Sequence, residues 1–355
     1  MADKKNLCAQ IDIALHNRVT EEKDRLEMTT SQYIASLLTE YYKMKDENGG
    51  INMTGSRTMA FQIPEFGFLA LAMMLSNMVG GIDLSIIANA NTVAIFTAYV
   101  LNGTWAFGTQ GGARVALAVL VALCTSLVFG LLNGLIIAKT SAPSLVATLG
   151  TMTLIQGVGM AITGGTSVGD IDPLFSSFGK AIFLGLPVIF WLFLIVALVL
   201  GLILSLTGFG RKLYLYGGNP VAARFSGFHN EKMSVLVFML TAVLSGIAGL
   251  IILSRVNSAK VGYGDSYLLQ TMIVCVIGGI DPNGGKGKVG GVVIAIILMQ
   301  VMSSAFTIMS LSPYTKKLIW GIMLILVLGL NHIIAIQSKK STLKKSMKAL
   351  AGAAK

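Results

Sequence analysis

The chain is 355 residues long, 54% hydrophobic and only 12% charged, with a formal net charge of +11. A soluble domain carries about 25% charged residues, so this composition, with a mean hydropathy of +0.75, excludes an ordinary soluble enzyme and points to a polytopic membrane protein. The basic excess sits in the ends and a few loops, which suits membrane topology and anionic lipid better than nucleic acid. Cys8, Cys124 and Cys275 are too far apart for a disulfide framework or a metal spacing.

Residues 1–48 read differently from the rest. Leu7, Ala9, Ile11 and Ile13 alternate with Cys8, Gln10 and Asp12, the pattern of a short strand with one buried face. Leu15, Val19 and Leu26 come next at helical spacing. Thr29-Thr30-Ser31 then caps a second helix with a stripe of Tyr33, Ile34, Leu37, Leu38 and Tyr41. Strand, helix, cap, helix resembles a ribbon-helix-helix module, a family that dimerises through its strand and reads DNA with it. Asp12 on the strand's open face is repelled by phosphate, so dimerisation stands beside DNA binding as a reading. The first 50 residues hold no apolar core for a signal peptide. Gly49-Gly50 marks a linker over 49–58.

From Met59 onward there are nine apolar stretches, at about 59–79, 82–101, 114–138, 143–163, 181–206, 233–253, 267–279, 288–309 and 317–337. A span needs about 20 apolar residues, so the expected fold class is all-α, a polytopic transmembrane helix bundle over 59–337. The seventh stretch is too short to span alone as a straight helix and is expected inside the bundle. The tail 338–355, with Lys339, Lys340, Lys344, Lys345 and Lys348, is placed in the cytoplasm by the positive-inside rule. Counting back puts loops 207–232 and 280–287 and Lys139 on the same side. Loops 102–113, 164–180, 254–266 and 310–316 fall outside, and so does the segment before Met59.

Thr207–Lys232, TGFGRKLYLYGGNPVAARFSGFHNEK, is a basic island between two spans. Asn219-Pro220 is an N-cap with proline at the first helical position, and Gly227 stops the short helix Val221–Ser226. Such a helix cannot cross a bilayer. It lies at the surface and offers itself to a partner, unless it is an ordinary basic loop.

Polar groups inside apolar spans are expensive and mark pathways or interfaces. Asp83, beside Gly80-Gly81 and Ser85, either packs and gates next to a pathway or caps the next helix. Asn89, Asn91, Asn133 and Gln156 are further pathway candidates, or helix glue. Gly130, Gly134, Gly157, Gly159, Gly246 and Gly249 permit close helix approach. No nucleotide-binding, hydrolase or metal motif is present; Gly284-Gly285-Lys286-Gly287-Lys288 lacks the spacing and hydroxyl of a phosphate-binding loop. No catalytic or metal-ligating residue is expected.

The run G-R-x-L-Y-x-x-G-G-N-P-x-A-A-R-x-S-G, carried by Gly210, Arg211, Gly217, Gly218, Asn219, Pro220, Ala222, Ala223, Arg224, Ser226 and Gly227, resembles the cytoplasmic coupling loop of sugar-type ABC transporter permeases. Gly80–Ser85, Asn133-Gly134 through Thr148–Thr151, and Gly278-Gly279 through Gly287 agree with the same family. The resemblance covers about Arg57 to Gln337. It implies a permease subunit of a monosaccharide importer in the bacterial inner membrane. The implied partners are an ABC ATPase subunit, an extracytoplasmic sugar-binding protein, a second permease subunit and membrane lipid. ATP and Mg would be bound by the ATPase and no cofactor by this chain. That family has about ten spans and a cytoplasmic N-terminus, so its first span is replaced here by residues 1–48. The alternative is a membrane-tethered DNA-binding or dimerisation fusion protein, or a fusion product without transport competence.

Overall fold

The computed structural model describes residues 51–105, 108–140, 142–227 and 229–330, with a few isolated positions outside them. The ribbon-helix-helix reading of 1–48 and the basic tail 338–355 lie outside the described residues. The chain divides into two units, Met1–Arg57 and Thr58–Lys355, and the second holds the membrane bundle.

Helices dominate. Numbered from the first described in full, they are α1 (Ile51–Met78), α2 (Ile86–Leu101), α3 (Gly111–Thr140), α4 (Ser144–Thr163) and the short α5 (Pro173–Lys180). Next is a two-stranded hairpin, β1 (Ile182–Phe183) and β2 (Leu186–Pro187). Then come α6 (Val188–Leu206), α7 (Gly208–Gly218), α8 (Pro220–Phe225), α9 (Asn230–Val256), α10 (Tyr267–Ile277), α11 (Val289–Ile308) and α12 (Pro313–Leu330). Among the described residues seven helices are long and apolar enough to cross a membrane: Thr58–Met78 within α1, and α3, α4, α6, α9, α11 and α12.

Several boundaries differ from those read in the sequence. Residues 51–58, expected as linker, continue α1, because extending an existing helix into its polar flank avoids a second nucleation. The stretch 82–101 begins as unwound chain, and only Ile86–Leu101 is helical. At about 1.5 Å per residue α2 reaches about 24 Å, short of a hydrocarbon core of about 30 Å. It is sheathed by protein: nearly every α2 side chain is buried, Asn89, Asn91 and Thr92 included. The run 181–206 splits because Leu184 and Gly185 both take positive φ (51° and 79°) and turn the chain into the β1–β2 hairpin. Pro187 then precedes α6. The last described span starts at Pro313, four residues before the expected 317. The short α10 keeps its expected place, with Gln270, Thr271 and Ile273–Val276 buried.

The core is built by close approach. α9 lies along α3 and α2. A Cβ on Gly134 would come within 2.6 Å of the Val235 Cα, and one on Gly130 within 2.7 Å of the Met239 Cα. Gly246 faces Ser126, Gly249 faces the Ala90 carbonyl, and Gly159 faces Val261. A Cβ on Gly157 would meet nothing within 4 Å among the described residues, so it permits no close approach there. Without a hydrophobic drive between helices in lipid, such backbone proximity carries the packing. Gly134→Val is therefore expected to drive α3 from α9 and abolish a monodisperse protein in detergent, whereas Gly157→Val leaves it intact. Size-exclusion profiles of the two variants check this.

The outward faces of α3, α4, α6, α11 and α12 carry large apolar side chains such as Leu120, Val128, Leu198, Ile294 and Ile325, the pattern of lipid-facing helices. The loops sort into two ends. At one, Gly285 N–H donates to the Met78 carbonyl (2.9 Å) and Ile82 N–H to Ser144 Oγ (3.1 Å). At the other, Val168 and Ala259 form an antiparallel bridge between loops 164–180 and 254–266. In these contacts, loops that counting assigns to one side meet one another.

Candidate functional site

The site begins with the basic island. α7 starts at Thr207, whose hydroxyl accepts from Gly210 N–H (3.4 Å), and Gly210 is packed against the Leu204 backbone. α7 ends at Gly217-Gly218. Asn219 turns the chain out of the helix and caps the next: its Oδ1 accepts from Val221 N–H (3.1 Å) and Ala222 N–H (3.0 Å), with Pro220 at the first helical position. α8 runs Pro220–Phe225, Ser226 Oγ donates to the Ala222 carbonyl (2.9 Å), and Gly227 at φ 80° ends it. Asn230 Nδ2 donates to the Pro220 carbonyl (2.7 Å), tying the start of α8 to the start of α9.

α8 therefore stands as a short rigid knuckle. Val221, Ala222, Arg224 and Phe225 are exposed, Phe225 to 89%, and Arg211 on α7 is exposed too. Ala223, a candidate for partner contact in the sequence, is only 2% exposed. It packs α8 onto the protein and does not present a surface.

Behind this knuckle the three glycine pairs converge. A Cβ on Gly217 would overlap the Met78 carbonyl and lie 2.6 Å from Gly285 N. A Cβ on Gly284 would lie 2.6 Å from both the Gly217 carbonyl oxygen and Gly80 N. Gly80, Gly284 and Gly285 have positive φ (73°, 92° and 74°). Three backbones thus touch with nothing between them: the end of α1, the end of α7, and the turn between α10 and α11. Tyr214 at mid-α7 donates its hydroxyl to the Gly287 carbonyl (2.7 Å). Burial pushes the Tyr216 phenol above its ordinary value, opposed by a hydrogen bond with Ser234 of α9. A cavity of about 310 Å³, lined by Gly80, Gly81, Ser144, Tyr216, Asn230 and Ser234 among others, lies against this junction.

Beyond the junction the chain is unwound from Gly80 to Ser85, and backbone at this depth needs polar side chains to satisfy it. α4 supplies them: Thr148 Oγ1 accepts from Leu84 N–H (3.1 Å) and donates to the Ile82 carbonyl (2.9 Å). Asp83 is 1% exposed. Its Oδ1 accepts from Ser85 N–H (3.0 Å) and Ser85 Oγ–H (2.7 Å). Thr241 Oγ1 of α9 lies 3.0 Å from Oδ2 and 2.8 Å from the Phe238 carbonyl, so its one proton is shared between two acceptors. Asp83 thus closes the turn before α2 and braces it to α9, and α2's first helical amides receive no side-chain cap.

Of the other intramembrane candidates Asn133 joins this cluster, and Asn89 bonds to α9 close by. Asn133 Nδ2 donates to Ser85 Oγ (2.7 Å). Asn89 Nδ2 donates to the Ala242 carbonyl (2.8 Å) and contacts Ser245 Oγ. The Oδ1 atoms of Asn77, Asn89 and Asn133 and Nδ2 of Asn91 are buried without a partner among the described residues. Asn91 is buried beside this seam in α2, whereas Gln156 is half-buried on α4 and makes no side-chain hydrogen bond among the described residues.

Replacing Asp83 separates brace from charge. Asp83→Leu leaves the buried Ser85 N–H and Oγ–H donors without their acceptor, at about 1–3 kcal/mol each, while Thr241 keeps the Phe238 carbonyl, and is expected to lower the yield of folded protein. Asp83→Asn keeps the shape and is expected to fold normally and impair transport. Uptake normalised to expression checks this; Asn equal to wild type would leave Asp83 a brace alone.

A second polar cluster is not among the residues singled out from the sequence. Glu65 in α1, 1% exposed, accepts from Arg255 Nε (3.1 Å) and Nη2 (2.9 Å) and from the Tyr267 hydroxyl (2.9 Å). Its signal is the same as that of Asp83, a lone carboxylate in an apolar run. Arg255, in sequence no more than a charge beside a loop, is its partner.

Several proteins of known name resemble this chain over most of its length. It is similar to the L-arabinose transport system permease protein AraH of Escherichia coli, 32% identical over 275 residues, 78% of this chain and 80% of that one. It is similar to the ribose import permease protein RbsC of Haemophilus influenzae, 33% identical over 270 residues, 75% and 81% of the two chains. The galactose/methyl galactoside import permease protein MglC of Escherichia coli is 30% identical over 264 residues, 71% and 79%. No solved structure matches significantly. Residues 57–328 match the model of the family described as branched-chain amino acid transport system / permease component, and the chain belongs to that family of multi-pass membrane permeases.

Proposed function

We propose that this chain is the membrane-spanning subunit of an ABC importer for a monosaccharide, energised by a separate ATPase. The family's description names branched-chain amino acids, whereas the three relatives are named for arabinose, ribose and galactose. Similarity along three quarters of the chain to sugar permeases supports the sugar class.

The observation that carries the mechanism is the knuckle and the junction behind it. α8 is capped, exposed at Val221, Arg224 and Phe225, and continuous through Asn219 with the glycine junction. An ATPase that grips α8 and closes on ATP would displace α7 as a rigid lever. Contact at Met78, Gly80 and Gly284 would carry that displacement to the unwound segment and the Asp83–Thr241 brace, changing access between α2 and α9. By the positive-inside rule α8 faces the cytoplasm. A binding protein would deliver solute at the opposite end, and a second permease subunit would complete the pathway. Co-purification of the permease with a co-expressed ABC ATPase tests the reading; a permease that purifies alone under conditions that preserve such complexes overturns it.

A further inference from the structure

We infer that the Glu65–Arg255–Tyr267 cluster, with Tyr263, forms a monosaccharide-contact site at the end of the permease opposite α8. The inference rests on the sugar-importer reading and gives it a place in the fold. A cavity of about 130 Å³ is lined by Glu65, Ile252, Arg255, Tyr263, Gly264, Ser266 and Tyr267. A cavity of about 150 Å³ accepts benzene, and a monosaccharide has about twice as many heavy atoms, so this space meets one edge of a sugar ring and does not enclose it.

The chemistry of the lining selects the ligand class. Arg255 spends Nε and one Nη2 proton on Glu65 and is 31% exposed along its side chain. Nη1 makes no hydrogen bond among the described residues, which leaves a planar edge of N–H donors fixed in orientation, the arrangement that meets paired oxygens. The Glu65–Arg255 pair is neutral, so Arg255 offers directed donors and not an unpaired charge. An amino acid's ammonium group is poorly served, because both Glu65 oxygens are occupied and the side chain is 1% exposed.

The aromatic groups are held in place. Tyr267 is fixed by its bond to Glu65 and by the Phe66 ring, 5.7 Å away between centroids. Tyr263 sits between Gly262 and Gly264, at φ 84° and 71°, a turn that a side chain at either glycine would strain. Lys260 Nζ lies 5.7 Å from the Tyr263 centroid. A half-buried aromatic beside donors presents an apolar face to sugar C–H groups and a polar rim to hydroxyls. One turn along α1, Gln62 accepts from Gln300 Nε2 (2.6 Å) and extends the polar line.

Saturation-transfer NMR on the full-length permease in lipid nanodiscs tests this, with D-ribose, L-arabinose, D-galactose and L-leucine as separate probes at millimolar concentration. Wild type is expected to give signal with at least one sugar and none with leucine. Tyr263→Ala, which removes the ring and its hydroxyl, is expected to weaken the sugar signal up to about tenfold. Tyr263→Phe is expected to retain most of it, and matching size-exclusion profiles show that all three proteins are folded. Sugar signal equal in wild type and Tyr263→Ala, no sugar signal, or a leucine signal overturns the site. Association with the ATPase through α8 is read separately, so a permease that binds its ATPase and shows no sugar contact sinks this inference and leaves the importer reading standing.

Discussion

Phe225→Asp is expected to abolish co-purification of an ABC ATPase with this permease while leaving the permease monodisperse and its membrane insertion unchanged. Phe225 is 89% exposed at the end of a six-residue helix, with Val221 at 64%. Apolar groups held that far into solvent at a capped, rigid knuckle have the character of interface anchors, whose truncation costs about 2 kcal/mol or more. A carboxylate in the same place adds the desolvation of a charge. Arg224→Glu is expected to weaken the complex less, because a rim charge contributes mainly to encounter rate and salt dependence. Ala223→Asp is a different experiment. It inserts a charge beneath α8, where only 2% of the residue is exposed, so misfolding of the loop would precede any loss of docking. Pull-down of the ATPase at wild-type level by Phe225→Asp would show that α8 is not the docking element.

The second large effect is expected at Gly217. Any side chain there overlaps the Met78 carbonyl and approaches Gly285 N to 2.6 Å. Both neighbours are backbone, so no rotamer change relieves the clash, and overpacking of this kind costs about 1–3 kcal/mol. Gly217→Ala is expected to retain the ATPase, whose contact lies on α8, and to transport at less than about a tenth of the wild-type rate because the lever no longer seats on α1. The neighbouring Gly218→Ala is the control. Its nearest Cβ contact is 3.8 Å, ordinary van der Waals distance, and near-normal transport is expected. Equal uptake by Gly217→Ala and wild type would separate the glycine junction from coupling.

How far the sequence discloses this fold depends on the range of the interactions. The Asn219-Pro220 cap and the Gly227 stop are local chemistry, and they place α8 within a residue of its ends. The burial of α10 is legible because an eleven-residue apolar helix ending in Gly278 is too short to span. The convergence of Gly80, Gly217 and Gly284 is not legible. Each pair reads as a turn by itself, and only tertiary packing reveals that the absent side chains are needed in one place. The seam around Asp83 is half legible: Ser85 is adjacent, but Thr241 is 158 residues away. Glu65 stands in plain view in an apolar run, yet its partners Arg255 and Tyr267 lie 190 and 202 residues further on. The hairpin at 182–187 is masked because its residues are as apolar as the helix they precede.

The proposed action of this chain is to carry a sugar across the membrane when an ATPase acts on α8. It is tested most directly in proteoliposomes holding the permease, a co-purifying ABC ATPase and its binding protein, with labelled L-arabinose, D-ribose and D-galactose offered in turn. ATP-dependent accumulation of at least one sugar is expected, lost in Phe225→Asp and in Gly217→Ala. A complex that assembles and hydrolyses ATP but accumulates none of the sugars, or that accumulates L-leucine in their place, would contradict it.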